Sequence, residues 1–440
     1  MKITMVGGGS YGWTDSLYKS FLINPFFNRE TEICLMDINE KALEEMAAYC
    51  EQFNRAHPQR ALTLSHTTCM EKAMEGADYA IVAIGHGGLE AEIEDHRIAR
   101  RNGFYNIKGS EAGVAGASRT IRHVPEMTRI AGILKRQSPN AMLLNVTNPL
   151  TAITRAVEKY AGVKAIGFCH GVKNHLGVLA PYIGAESVDD LDFVVAGVDH
   201  ASFLLDIRFH GRNALDILRK KGMIEAAWRG NTGITFDDPF AGRENQRIRF
   251  IIWDVLGYMP AISDEHCGEF FYQAIGTPEL RERFGMHYDR IADRTQSVER
   301  FQGAIRQRLA SGDMALPDSV GEVLDQAIEA LEGGRRFRDV LNYRNLGQVD
   351  NLPRDAVVET LCEIDSTGVH PIWAGSLPPI VETVVRPLAV REEMYMEAAM
   401  EWDERKLSAA LAMDPIVNDF TRVRKVAAEI MAYNRRFLSA

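Results

Sequence analysis

Met1-Lys-Ile-Thr-Met-Val6, running into Gly7-Gly-Gly-Ser-Tyr-Gly12, is the stretch on which the fold turns. Ile3, Met5 and Val6 form an apolar run of strand length. Trp13, Leu17 and Phe21 then recur every four residues, the spacing of one helix face. A strand that passes through Gly7-x-Gly9-x-x-Gly12 into a helix has a use for each glycine. The first makes the tight turn, the second admits a pyrophosphate to the backbone, and the third lets helix pack on strand. The helix start then offers its N–H groups to the phosphates. Glu32-Ile-Cys-Leu-Met36 reads as the next strand and ends at Asp37. An acid at that place accepts from the ribose 2′-hydroxyl and repels a 2′-phosphate. Gly7, Gly9, Ser10, Gly12 and Asp37 are therefore the expected cofactor-binding residues, and the expected cofactor is NAD rather than NADP.

Outward from this turn, strands and helices alternate. A helix rich in Ala and Glu covers about 40–54, and Ala77–Ile84 reads as a third strand, ending in Gly85-His-Gly-Gly88. Ala141–Leu144 is a fourth, ending in Asn145-Val-Thr-Asn-Pro149, and Val163–Ile166 a fifth, ending in Gly167-Phe-Cys-His170. This alternation predicts an α/β fold with a Rossmann-like, doubly wound parallel sheet, the superfamily of lactate and malate dehydrogenases. Asp192–Ala196 and Phe203–Arg208 read as strands of a second, mixed layer. Beyond about 215 the pattern is mostly helical, with loops near 230–243 and 310–320 and a long amphipathic helix at 390–412. The expected division is a NAD-binding domain over 1–190 and a mixed α+β, mostly helical domain over 191–440 for substrate, metal and oligomer contacts.

The 440 residues are 46% apolar and 25% charged, with a net charge of −10. That balance is ordinary for a soluble globular protein. It argues against nucleic acid as a partner, because phosphate binding needs a basic face. No stretch of about 20 uncharged apolar residues predicts a membrane span. The N-terminus shows no signal-peptide pattern. Six cysteines without a C-x-x-C pair read as reduced thiols of a cytoplasmic protein.

In open α/β sheets, ligands bind beyond the carboxyl ends of the strands. Polar groups there converge on one cleft: Asn148, Cys169 and His170, and Asp199-His200 after a further strand. Cys169 and His200 are candidate metal ligands, since a thiolate with an imidazole suits a borderline divalent ion. Motif physics alone stops at a NAD-linked enzyme acting on a small polar molecule.

Taken together, Gly7–Ser10, Asn145–Pro149, Gly167–His170 and Gly197-Val-Asp-His200 resemble glycoside hydrolase family 4. Gly257-Tyr-Met-Pro, Asp264-Glu-His266 and Glu269-Phe-Phe look like its alpha-galactosidase and alpha-galacturonidase branch. Asn351–Ala356 and Ala409–Pro415 are similar to its C-terminal signatures, so the resemblance spans nearly the whole chain. It implies a glycosidase that uses NAD and a divalent metal, typically Mn2+, outside the two-carboxylate rule. Sugar C3 is oxidised, the C2 proton becomes acidic and is removed, and the C1 substituent is eliminated. Water then adds at C1 and the hydride returns. The resemblance makes Cys169 and His200 the metal ligands, Tyr258 the base with Tyr272 as its rival, and His170 the proton donor to the leaving oxygen. Asn148 is expected to hold sugar hydroxyls, and Glu111 and Arg119 to line the substrate site, with Arg122 an alternative to Arg119. The expected substrate is an alpha-hexoside or alpha-hexuronide, and the expected assembly a homodimer or homotetramer. Two departures stand out: Asp199 replaces the usual Asn before the second ligand, and the Trp common after it is absent. The competing reading is a 2-hydroxyacid dehydrogenase of the lactate/malate type, whose chemistry has no need of Cys169 with His200.

Overall fold

The computed structural model describes residues 1–238, 242–286 and 290–438. Six strands run parallel: β1 (Lys2–Val6), β2 (Glu32–Met36), β3 (Thr63–Thr67), β4 (Tyr79–Val82), β5 (Met142–Asn145) and β6 (Ala165–Phe168). Their spatial order is β3-β2-β1-β4-β5-β6, the dinucleotide-binding order with its reversal between β1 and β4. Ile3 and Met5 of β1 join one apolar cluster, with Leu17, Phe21, Ile33 and Leu35. Val6 joins another, with Val82, Ile121 and Met127. Successive strand residues face opposite sides of the sheet, so helices must cover both faces. Each fully buried Leu, Ile or Phe contributes about 1.5–3 kcal/mol to that packing.

The helix Glu40–Ala56 starts where the Asn39 side chain accepts the Ala42 N–H, with Glu40 in its first turn. Both features favour a helix N-terminus. Among the described residues the longest helix is Gly113–Gln137, and its Gly113 N–H donates to Asp414 Oδ2.

The strands after residue 190 do not form a second layer, as the sequence suggested. They extend the same sheet, apart from one separate two-stranded ribbon. β7 (Leu191–Val198) and β8 (Ala201–Phe209) form a hairpin; β9 (Arg212–Asn213) pairs with β8, and β10 (Thr235–Asp238) with β11 (Gly242–Asn245). β12 (Met259–Pro260) lies on β8, and β13 (Phe337–Arg344) runs antiparallel to both β6 and β14 (Val357–Asp365). β15 (Gly368–Pro371) closes on β14, and β14 meets β7. Among the described residues the result is a 13-stranded sheet, half parallel and half antiparallel, with the β10–β11 ribbon apart from it.

Two further expectations need correction, and a third holds. The stretch read as a loop near 230–243 contains the β10–β11 ribbon, with residues 239–241 outside the described residues. The region beyond 215 is mostly helical, as the sequence predicts, with β13 and β14 set among the helices. The long helix near 390–412 is two: Pro379–Glu401 ends at Trp402, whose φ is 53°, and Asp403 caps Glu404–Ala412 through the Arg405 and Lys406 N–H groups.

Candidate active site

The glycine turn is held as the sequence predicts. Gly7 has φ +92°, and a Cβ there would stand 2.2 Å from the Ala83 carbonyl oxygen, so only glycine fits. A Cβ on Gly9 would lie 2.9 Å from Asp37 Oδ2. Without it, the Gly9 N–H donates to that oxygen at 2.9 Å, and the Asn39 N–H donates to Oδ1 at 2.9 Å. Ser10 accepts from the Trp13 N–H, and Gly12 precedes the first helix, Trp13–Ile23. Each Asp37 oxygen keeps a lone pair for a ribose hydroxyl. Asp37→Ala is expected to weaken NAD+ binding and raise the NADP+/NAD+ affinity ratio, because repulsion of a 2′-phosphate is lost. A direct binding titration with both dinucleotides checks it.

At the far ends of β6 and β7 the chemistry gathers. Cys169 follows β6, and His200 sits in the two-residue turn between β7 and β8 with φ 62°. Positive φ is uncommon for a residue other than glycine and clusters at functional sites. Cys169 Sγ lies 3.4 Å from His200 Nε2. His200 Nδ1 lies 2.8 Å from Glu111 Oε2, so the carboxylate fixes the ring and leaves Nε2 turned to the thiol. The His266 ring lies beside His200, tilted by 33° with ring centroids 3.9 Å apart.

Two sets of donor atoms are mutually within 4.8 Å: Cys169, Asp199 and His200, and Glu111, His200 and His266. Asp199 Oδ2, Glu111 Oε1 and His266 Nδ1 are buried without hydrogen-bond partners. Burial, then the Asp199 and Glu359 carboxyls, push the Cys169 thiol well above its ordinary value. Burial, then the Glu269 carboxyl, do the same to Glu111. A divalent cation is the charge that reverses both shifts, so the donor set fits one.

The chain matches the family 4 glycosyl hydrolase description over residues 2–181, and that family's C-terminal domain over residues 195–417. The chain belongs to glycosyl hydrolase family 4. An alpha-galacturonidase of Bacillus subtilis is 29% identical over 433 residues, covering 95% of this chain and 93% of its own. An alpha-galactosidase of the same organism is 27% identical over 419 residues, covering 94% and 93%. The fold is also that of a 6-phospho-beta glucosidase from Thermotoga maritima, solved with manganese, NAD+ and glucose-6-phosphate. That structure is 22% identical, with a TM-score of 0.80 and 100% of each chain covered. Family membership decides against the dehydrogenase reading.

Within this family 4 enzyme, the other expected site residues are placed unevenly. Asn148 precedes Pro149 at the end of β5, half-buried, while Asn145 behind it is spent on Thr147 and Thr154. Glu111 faces His200, with its Oε2 2.8 Å from the His200 Nδ1. Arg119 lies 3.5 Å from Glu92. Burial pushes the Glu92 carboxyl up, but Arg119 and Arg294 together hold it below its ordinary value. Arg122 has its guanidinium bidentate to Asp95 and also bound to Asn434.

His170 turns its Nε2 towards Glu322, 3.4 Å away. Burial lowers the His170 pKa and pushes Glu322 up to about 7. Tyr272 donates its hydroxyl to the Gly276 carbonyl and accepts from Asn418, which leaves it poorly placed as a base. Tyr258 is half-buried, and nothing among the described residues hydrogen-bonds its hydroxyl. It precedes Met259, which pairs with Leu204, so its neighbour along the ladder is Leu205. Leu205 stands five positions beyond His200, or about 16 Å at 3.3 Å per residue.

Sequence reasoning missed Glu322, and gave His266 no role. Glu322 lies in a loop with no motif. His266 was visible only as part of a resemblance, and its place beside His200 arises from the turn after β12.

Proposed function

We propose that this family 4 enzyme is a NAD- and Mn2+-dependent glycosidase for an alpha-hexoside or alpha-hexuronide. It works by C3 oxidation, C2 deprotonation and elimination. The observation that carries the reading is the Cys169–His200 pair, 3.4 Å apart at two strand ends and backed by Glu111. The Thermotoga structure holding manganese and NAD+ supports the cofactor choice. Bound here, the dinucleotide supplies a reversible hydride acceptor at C3, and the divalent ion a Lewis acid for the neighbouring sugar oxygens.

The chain's own residues do the rest. Gly7, Gly9, Ser10, Gly12 and Asp37 hold the dinucleotide, and Cys169 and His200 hold the metal. Asn148 hydrogen-bonds sugar hydroxyls, and Arg119 lines the cleft for a carboxylate or a hydroxyl. Tyr258 takes the C2 proton as the C1–O bond breaks, and His170 gives a proton to the departing oxygen. His266, neutral beside His200, is the competing base. A homodimer or homotetramer in the cytoplasm, divided at residue 190 into nucleotide and substrate domains, completes the reading. Among the described residues no helix is long and apolar enough to cross a membrane, and all six cysteines are free.

Nitrophenyl alpha-galactoside, alpha-galacturonide and 6-phosphoglycosides, turned over in D2O with NAD+ and Mn2+, test it. Product is expected to carry deuterium at C2, with NAD+ required but not consumed. Product without C2 deuterium, and without a primary isotope effect from C2-deuterated substrate, overturns it. Tyr258→Phe is expected to cost about 10²–10⁴ in rate. A smaller cost, with a larger one in His266→Gln, moves the base role to His266.

A further inference from the structure

Asp199 is the residue of this site that the reaction above leaves unused. It shares the β7–β8 turn with His200, so the same backbone reversal that delivers the imidazole delivers this carboxylate. Its backbone N–H donates to Thr151 Oγ1 at 3.4 Å, and its Oδ1 accepts from the Asn342 amide at 3.2 Å. The side chain is 0% exposed, and its second oxygen, Oδ2, has no hydrogen-bond partner. His200 Nδ1 stands 3.5 Å from it, beyond a good hydrogen bond and already facing Glu111, and a buried carboxylate oxygen without a hydrogen bond is costly unless a cation faces it. The atoms nearest to hand are ligands: Asp199, Cys169 and His200 place one donor each within 4.8 Å of the others. Glu359, the neighbouring acid, has Oε2 occupied by the Ser202 hydroxyl at 2.5 Å.

We propose that Asp199 is a third protein ligand of the divalent ion, completing a thiolate–imidazole–carboxylate set with Cys169 and His200. The proposal rests on the metal reading of Cys169 and His200 given above. It has a consequence for metal choice. Thiolate and imidazole alone favour softer ions such as Zn2+, whereas a carboxylate oxygen suits Mn2+ and Mg2+. An Asn at this position keeps the shape and the oxygen but loses the charge. Asp199 therefore tunes the site towards a hard, oxygen-seeking ion and adds negative charge to a pocket that holds it.

The test uses chelator-stripped full-length protein without substrate or nucleotide, titrated calorimetrically with Mn2+ and with Zn2+. Asp199→Asn is expected to weaken Mn2+ by about tenfold or more, and Zn2+ by less, so that the Mn2+/Zn2+ affinity ratio falls. Circular dichroism of the stripped variant checks its fold, and Asp199→Ser gives a second variant if the first does not fold. Unchanged affinity for both ions overturns the proposal. A crystal of the Mn2+-loaded wild type, with the ion located by anomalous scattering, decides independently of any variant. An Asp199 oxygen within about 2.4 Å of the ion supports the proposal. An ion held by Cys169 and His200 with Asp199 turned to Glu359 overturns it and leaves the metal reading standing. An ion away from Cys169 and His200 overturns both.

Discussion

Cys169→Ser and His200→Ala are each expected to abolish stoichiometric Mn2+ binding and to lower kcat/KM by about 10³-fold or more. The magnitude follows from the Lewis-acid contribution of a bound ion, several kcal/mol of charge stabilisation, at 1.4 kcal/mol per factor of ten. The two side chains come from different strand ends and meet at 3.4 Å, so neither has a substitute on its own element. Serine keeps the size of Cys169 but is a poor ligand for a divalent ion at neutral pH, and alanine removes the imidazole outright. Glu111→Gln belongs to the same series with a smaller effect. It keeps an acceptor for His200 Nδ1 but drops the charge, and losses of this kind typically cost 10–100-fold in metal affinity or activity. Metal content after dialysis and steady-state kinetics are the measurements. Full metal retention with full activity in both ligand variants would refute the site.

The second large effect concerns stability. Arg122→Met is expected to destabilise the protein by about 3–5 kcal/mol, because it strands a buried carboxylate. Asp95 is 2% exposed and takes both its Arg122 bonds at 2.6–2.9 Å. The same guanidinium donates to the His86 carbonyl after β4 and to Asn434 on the C-terminal helix Val423–Asn434. Ser118 closes the network by donating to Asp95 and accepting from Asn434. Adding Asp95→Asn should recover part of the loss, since a neutral amide is cheaper to leave buried than a charge. Urea unfolding midpoints check both variants, and a loss below about 1 kcal/mol contradicts the argument.

The parallel half of the fold was legible because its strands are buried on both faces and read as apolar runs, each ending in a polar cluster. β3 escaped because it is an edge strand, Thr63-Leu-Ser-His-Thr67, with two positions exposed and none fully buried. β13 escaped because Arg338 and Asp339 interrupt its apolar pattern; Asp339 is buried against Lys173, a contact that the sequence does not announce. The helix break at Trp402 was hidden by an unbroken amphipathic pattern, since nothing in a tryptophan advertises positive φ. In the site, strand-end residues were found because motif and topology put them there. Partners such as Glu111 on His200, Glu322 on His170 and His266 on His200 come from remote segments that only the folded chain brings together.

The placement of β13 bears on how this chain is made. β6 is the last strand of the parallel half and ends at Phe168; its outer edge is covered by β13, which begins 169 positions later at Phe337 and sets Leu341 against Phe168. A ribosome adding about 5–20 residues per second leaves that edge unpaired for roughly 10–30 s. An open, apolar strand edge is a template for pairing with another chain. The nucleotide half of the nascent protein thus leaves the ribosome with one side unsealed. Synthesis rate and chaperone supply, rather than the stability of the finished enzyme, are then expected to govern how much of it is recovered from an expressing cell.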